Sequence, residues 1–272
     1  MLSVNRFLRT APTRRLLSVL AGICLAIVAG STLAIAASGD GPLPPPRPLA
    51  QAIRGALAAQ TVPGIAADIR FKNNLIDASE LQGADPLLAG GSGRLWVASD
   101  HRFRLELQTA VGAADAQIVY DQGRFWAYDP ASNTVYEGTV STGTGDQPAK
   151  RHAHPDAVPP LATIQQKLDR LMAHLDISGA IPSDVAGQPT YTVRVSPKDT
   201  GGLIGGAELA WDAARGVPLR VAVYARGDTN PVLELAATNV SYGPQPDSVF
   251  SIAPPAGAKV VKVATHSISD QA

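Results

Sequence analysis

QIVYDQGRFWAYDPASNTVYEG, residues 117 to 138, reads as three short strands joined by two tight turns. Ile118 to Tyr120, Phe125 to Tyr128 and Thr134 to Tyr136 are runs of apolar, aromatic and β-branched residues, which suit a pleated, half-buried surface. Between them stand Asp121-Gln-Gly123 and Asp129-Pro-Ala-Ser-Asn133, the residue types that cap a backbone, accept positive φ or fix φ. A strand meander of this kind places its neighbours in an antiparallel sheet, and the flanking segments extend it.

The pattern continues on both sides. Upstream, Ile65 to Lys72 alternates Ile69 and Phe71 with Asp68, Arg70 and Lys72. Gly93 to Ser99 carries Leu95 and Val97, and His101 to Thr109 sets Phe103, Leu105 and Leu107 against Arg102, Arg104, Glu106 and Gln108. One face apolar and one face wet is the mark of an antiparallel sheet. Downstream, strands are expected at Thr190 to Ser196, Ala207 to Asp212, Pro218 to Arg226, Val232 to Tyr242 and Lys259 to Ala264, about eleven in all. Two helices are expected. Leu49 to Gln60 is short and Ala-rich, with Leu49, Ile53 and Leu57 on one face; Leu161 to Leu175 carries the stripe Leu161, Ile164, Leu168, Leu171, Met172 and Leu175. The second is amphipathic enough to need an apolar sheet face to cover. Asn73 to Gly91, with Leu75, Leu87 and Leu88, is an insertion packed on the sheet, a mobile apolar flap over it or a disordered loop.

The termini are of a different kind. Residues 1 to 15 hold four arginines and no acid, and residues 16 to 37, LLSVLAGICLAIVAGSTLAIAA, carry no charge. This is a cleaved export signal or an uncleaved N-terminal anchor; either leaves the rest of the chain outside the cytoplasm. Residues 38 to 48, SGDGPLPPPRP, read as a semi-rigid Gly/Pro linker. A folded domain then spans 49 to 265, and 266 to 272 form a tail. Lys+Arg and Asp+Glu are both 23; loss of the four N-terminal arginines leaves 19 basic side chains against 23 acidic, which argues against binding nucleic acid by bulk charge. The one cysteine, Cys24, lies in the apolar run, so thiolate chemistry and disulfides are excluded from the folded part.

No nucleophile elbow, zinc-protease helix or phosphate loop is present. His152-Ala-His154 with Asp156 sits in a Gly-, Thr- and Pro-rich loop and reads as solvated; of five histidines only His101 falls on the strand framework. No enzyme, metal or cofactor is expected. A strongly curved sheet would instead leave an apolar concave face able to hold acyl chains, each buried CH₂ contributing about 0.8 kcal/mol; alternatively, helix and flap fill that space.

Four segments, in order, resemble the LolA/LolB-like lipoprotein-carrier superfamily, including its RseB-like members. They are Asp121-Gln-Gly-Arg-Phe-Trp126-Ala-Tyr-Asp-Pro130 with Asn133-Thr-Val135; Gly187-Gln-Pro-Thr-Tyr191 through Pro197; Leu209-Ala-Trp-Asp212 with Gly216-Val-Pro-Leu219; and Phe250-Ser-Ile-Ala-Pro254-Pro255-x-Gly257. Gly123 stands one place later than in the family pattern. The resemblance implies an α+β, mainly β fold: a large curved antiparallel sheet forming an unclosed β-barrel, with helices over the concave face. It implies a non-catalytic extracytoplasmic protein that binds lipid or lipoprotein acyl chains, periplasmic, secreted or membrane-tethered. The alternative it carries is an RseB-like sensor that binds a membrane protein. By strand parity the cavity would be lined by Ile69, Phe71, Leu95, Val97, Phe103, Leu105, Leu107 and Tyr120. Leu168, Leu171 and Met172 of the helix, with Leu75, Leu87 and Leu88 of the flap, would close it.

Overall fold

The computed structural model describes residues 43–75, 90–108, 115–139, 158–199 and 201–263. The N-terminal apolar run, Leu87 and Leu88, the His152/His154 loop and the C-terminal tail lie outside them. Among the described residues no helix is long and apolar enough to cross a membrane, and no group of three or more His, Cys, Asp or Glu could hold a metal ion.

Helix α1 (Leu49–Leu57) leads into a six-strand meander: β1 (Gly64–Asn73), β2 (Gly91–Ala98), β3 (Phe103–Gln108), β4 (Ala116–Asp121), β5 (Arg124–Asp129) and β6 (Thr134–Thr139). Helix α2 (Leu161–Met172) follows. A second series is β7 (Leu175–Ile177), β8 (Ile181–Val185), β9 (Gln188–Pro197), β10 (Ile204–Asp212), β11 (Pro218–Ala225) and β12 (Pro231–Tyr242), and β13 (Lys259–Lys262) comes last. All thirteen strands belong to one unclosed sheet in the order β13-β6-β5-β4-β3-β2-β1-β12-β11-β10-β9-β7, with β8 pairing β9 beside β7. The seam between the two series is β1 against β12, antiparallel from Ile65↔Tyr242 to Asn73↔Leu233, with a bulge near Thr238.

The strand turns follow their residues. Gln122 (φ 46°) and Gly123 (φ 85°) make the two-residue loop between β4 and β5, both in the left-handed region as a type I′ hairpin requires. Asp129 caps the next turn: its Oδ1 accepts the Ala131 N–H at 2.9 Å and its Oδ2 accepts the Ser132 hydroxyl at 2.7 Å. The opening stretch is therefore β4, β5 and β6 as read.

Other expectations change. β7 and β8 add two strands to the eleven, and β13 pairs β6 in parallel, so the sheet is antiparallel in every pair but that one. His101 (φ 69°) is in the β2–β3 turn and not on a strand. Helix α1 buries Ala50 and Ala52, while Leu57 of the expected stripe is exposed. Helix α2 stops at Met172, and Leu175 belongs to β7. The Gly/Pro linker is not wholly a spacer: Pro44 is buried, Tyr191 donates its hydroxyl to the Pro45 carbonyl at 2.6 Å, and Arg47 makes an antiparallel bridge to Ala180.

Two family segments have clear structural work. Phe250 is fully buried after a 3₁₀ turn (Asp247–Val249), with the Arg102 guanidinium 4.8 Å from its ring centre. Asp247 pairs with Arg102 at 2.8 Å, and the Val249 carbonyl accepts from Arg104 at 3.1 Å, so the chain crosses the back of β3 on its way to β13. Asp212, at the end of β10, is buried and holds the β10–β11 hairpin. Its Oδ1 accepts the amides of Ala214 and Arg215, both at 2.8 Å; its Oδ2 accepts the Tyr242 hydroxyl of β12 at 2.7 Å and pairs with Arg215 at 3.1 Å. Gly216 (φ 68°) follows, and a side chain there would meet the Ala56 carbonyl of α1 at 2.7 Å. Burial, and then the Asp212 carboxylate, push the Tyr242 hydroxyl above its usual range. Removing a buried carboxylate strands these donors. Asp212→Ala is expected to cost about 3 kcal/mol in urea unfolding, and Asp212→Asn less, because an amide oxygen keeps part of the turn. Equal stability of Asp212→Ala and the parent would refute this assignment.

Candidate ligand-binding face

Cross-strand register decides which side chains share a face. From Phe71 the pairs run Phe71↔Leu235, Leu235↔Val221, Val221↔Leu209 and Leu209↔Val193. In the other direction Ala67↔Leu95, Leu95↔Leu105, Leu105↔Ile118 and Ile118↔Ala127 continue the same face through β2 to β5. One apolar surface thus reaches from β9 to β5. Helix α1 lies over its β9 end, where Ala52 packs with Tyr191, Trp211 and Val193; α2 packs on α1 and β7. The tip of the β8–β9 hairpin, Val185 and Ala186, folds onto the main core.

The sequence-predicted residues divide into groups. Ile69, Phe71, Val97, Phe103, Leu105 and Leu107 are buried in one cluster, with Leu95 and Tyr120 packed against it, and Tyr120 stacks on Phe103 at 5.8 Å. Ile69, Leu95 and Val97 line a cavity together with Ile65, Leu219, Val221 and Leu235. Its volume is about 30 Å³, enough for one or two waters and far below the roughly 300–1,000 Å³ of a small-molecule site. Leu75 is half-buried at the end of β1, its amide on the Asn73 side chain. The α2 residues are elsewhere. Leu168 is half-buried, Leu171 and Met172 are 49% and 39% exposed, and none of the three lines the cavity. Met172 instead borders a groove of about 380 Å³ with Leu175, Ile177, Arg194 and Lys198. Among the described residues, the inner side is lidded by α1, one of the helices expected over the concave face, and by the β8–β9 hairpin, which the sequence reading left out.

The reading also missed Val193, Leu209, Val221 and Leu235. Their alternation is plain in the sequence, but it names no face until β1 is known to pair with β12. In this half the surface is less sealed: Leu209 is 38% exposed and Val193 and Val221 are half-buried.

The opposite face of the same strands carries charge. Lys72 pairs with Glu234 at 2.6 Å, Arg220 joins Glu234 at 2.6 Å and Glu208 at 2.7 Å, and Arg194 approaches Glu208 at 3.4 Å. Tyr224 donates to Glu208 at 2.7 Å, and the Arg194 guanidinium lies 4.5 Å over its ring. The ladder crosses five strands. Burial alone raises the Glu208 carboxyl, but hydrogen bonds from Arg220 and Tyr224 overcome it and leave the group below its ordinary value; Glu234 follows the same balance with Lys72 and Arg220. Depressed carboxyls stabilise the fold above their unfolded value, near pH 4.5, and lose that contribution as pH falls through their folded values. Unfolding midpoints in urea are expected to fall on acidification below about pH 4.5. The Glu208→Gln/Glu234→Gln variant should show a flatter profile, and an unchanged profile would refute the ladder's contribution.

No model of a protein family matches the chain, and no curated protein matches its sequence. Solved structures do. MucB is similar over 78% of this chain and 65% of its own, at 20% identity and a TM-score of 0.45. The MucA/MucB complex of Pseudomonas aeruginosa gives 79% and 62%, 21% identity and 0.42. A LolA superfamily protein from Nitrosomonas europaea gives 76% and 98%, 10% identity and 0.27. The chain spans about two thirds or less of the MucB chains it matches, and no residue's role is carried across at these identities. The unclosed, mainly antiparallel sheet expected from the sequence is observed, with α1 over the β9 end of its inner face.

Proposed function

We propose that this chain is a non-catalytic, extracytoplasmic protein that binds lipid or lipoprotein acyl chains on the inner face of its sheet. The observation that supports this is the unbroken apolar row from Val193 through Leu209, Val221 and Leu235 to Phe71, half-open at its β9–β10 end. An acyl chain has no polar groups to satisfy except at its head, so a surface without hydrogen-bonding side chains suits it. The small cavity beneath Leu219 and Val221 means that a chain enters by displacing side chains and the β8–β9 tip, not by filling a ready pocket.

A second reading, an RseB-like module that binds a membrane protein, is favoured by Leu203 and Ile204, two large apolar side chains exposed at the start of β10. MucB, similar in fold, has been solved in complex with MucA.

A fluorescent fatty acid titrated into the purified full-length protein tests the first reading. Leu209→Glu or Val221→Glu places a charge in the row and is expected to weaken binding by about tenfold or more while circular dichroism stays that of the parent. A folded parent that binds no fatty acid and carries no co-purified lipid in native mass spectrometry would end this reading. Retention of a specific membrane protein, lost in Leu203→Asp/Ile204→Asp and indifferent to lipid, would establish the second.

A further inference from the structure

We infer that an acyl chain on the inner face lies along β9 to β11 with its methyl end beneath α1 and its head at the β9–β10 turn, where Leu203 and Ile204 form the mouth of the site. The inference rests on the acyl-binding reading above and gives that site a direction, a closed end and an open one.

Helix α1 sets the closed end. On β10, Trp211 shares the inner face with Leu209, since Trp211↔Tyr191 and Leu209↔Val193 belong to one unshifted register with β9. Trp211 is 6% exposed and packs with Tyr191 and with Ala52 of α1. Toward the start of the strand the cover falls away: Leu209 is 38% exposed, Ala207 half-buried and Ile204 59% exposed.

A bulge brings Ile204 onto this face. Gly206 stands opposite Tyr224, whose hydroxyl joins the charged ladder on the outer side, and in an unbroken strand Ile204 would share that side. The register shifts between Ile204 and Gly206 instead, so that Ile204 pairs with Ala225, which alternates in step with Val223 and Val221. A side chain at Gly205 would meet the Ala225 carbonyl at 2.5 Å, so glycine is what lets the strand bend there. The apolar surface therefore runs from Leu209 over Ala207, flanked by Val195 and Val223, to Ile204.

The turn that ends it is held in place. Arg226 donates its Nε to the Gly202 carbonyl at 3.0 Å, its Nη2 to the Asp199 carbonyl at 2.8 Å and its amide to the Leu203 carbonyl at 2.8 Å. Leu203, 68% exposed, and Ile204 are thus presented to water on a fixed backbone at the end of an apolar trough. Roughly 20 Å of strand separate them from Trp211. A carboxylate or ester head is costly to bury without partners, and hydrocarbon is not. The Trp211 indole N–H lacks an acceptor among the described residues, but one neutral donor does not offset the burial of a carboxylate. The head therefore stays at the wet mouth and the tail goes under α1.

Stearic acids carrying a nitroxide near the carboxyl or near the methyl end test the direction on the full-length chain. Trp211 reports on the closed end. The other two tryptophans, Trp96 and Trp126, pair with Arg104 and Val119 on the outer face, and Trp96→Phe/Trp126→Phe leaves Trp211 alone. A fluorophore on Leu203→Cys, in a Cys24→Ser background, reports on the mouth. The methyl-end nitroxide is expected to quench Trp211 about twofold more than the carboxyl-end one, and the order to reverse at the Leu203→Cys label, because the reporters stand at the two ends of β10. Ala207→Phe, midway between them, should cut the quenching of Trp211 about twofold and spare that of the label. If the double tryptophan substitution does not fold, the parent chain gives the same comparison over a constant background. Saturable binding in which both nitroxides act equally on Trp211, or in the reverse order with the head beneath α1, overturns the inference and leaves the acyl-binding reading standing. Absence of saturable quenching at both reporters overturns the two together.

Discussion

Everything in this sheet depends on one pairing, that of β1 with β12. Each half is a meander that its own turns assemble: Gln122-Gly123 and Asp129 in the first, Ala186-Gly187 and the Asp212 turn in the second. Neither turn set brings the halves together. The nine register pairs between β1 and β12 do, and the Thr238 hydroxyl reaches the Asp68 carbonyl across 170 residues of chain. Loop closure on that scale is entropically unfavourable and is offset only by what the seam then buries, with Ile65, Ala67, Ile69 and Phe71 on one side. The Lys72–Glu234 pair ties the other side.

The seam also divides labour between faces. Below it, the inner face is continuous hydrocarbon from β9 to β5. Above it, Lys72, Arg220 and Arg194 alternate with Glu234 and Glu208, so that each of the two carboxylates meets two cations. A domain without disulfides is then held by the apolar core, by a few satisfied buried groups such as Asp212, and by the Phe250 segment across the back of β3. The inner face is the part left partly open, at Leu209 and Val221.

Much of this was legible in the residues. The alternation of Phe103, Leu105 and Leu107 with arginine and glutamate gave β3 and its buried face directly, and the Asp-Gln-Gly and Asp-Pro turns gave β4 to β6. What alternation cannot state is a neighbour. Val193, Leu209 and Val221 alternate as clearly as β3, yet their membership of the same surface follows only from the β1–β12 register. The α2 stripe shows the same limit: an amphipathic pattern says that one side is covered, not by what, and here α1 and β7 cover part of it while Leu171 and Met172 face outward. β7, β8 and β13 are three to five residues long, too short for a period to register, and nothing in Lys259-Val-Val-Lys262 distinguishes a parallel from an antiparallel partner. The proline strap read as spacer because proline composition marks an extended backbone, whether free or docked.

The order of synthesis gives the seam a further meaning. A chain that emerges N-terminus first completes β1 to β6 while β12 is still to come, and β1 must wait with a bare row of amides and carbonyls. Waiting edges attract wrong strands unless charge guards them. Asp68, Arg70 and Lys72 stand on that edge, alternating with its isoleucines and phenylalanine. Before Lys72 becomes a rung of the ladder with Glu234, it and its neighbours stand where charge blunts an unpaired strand.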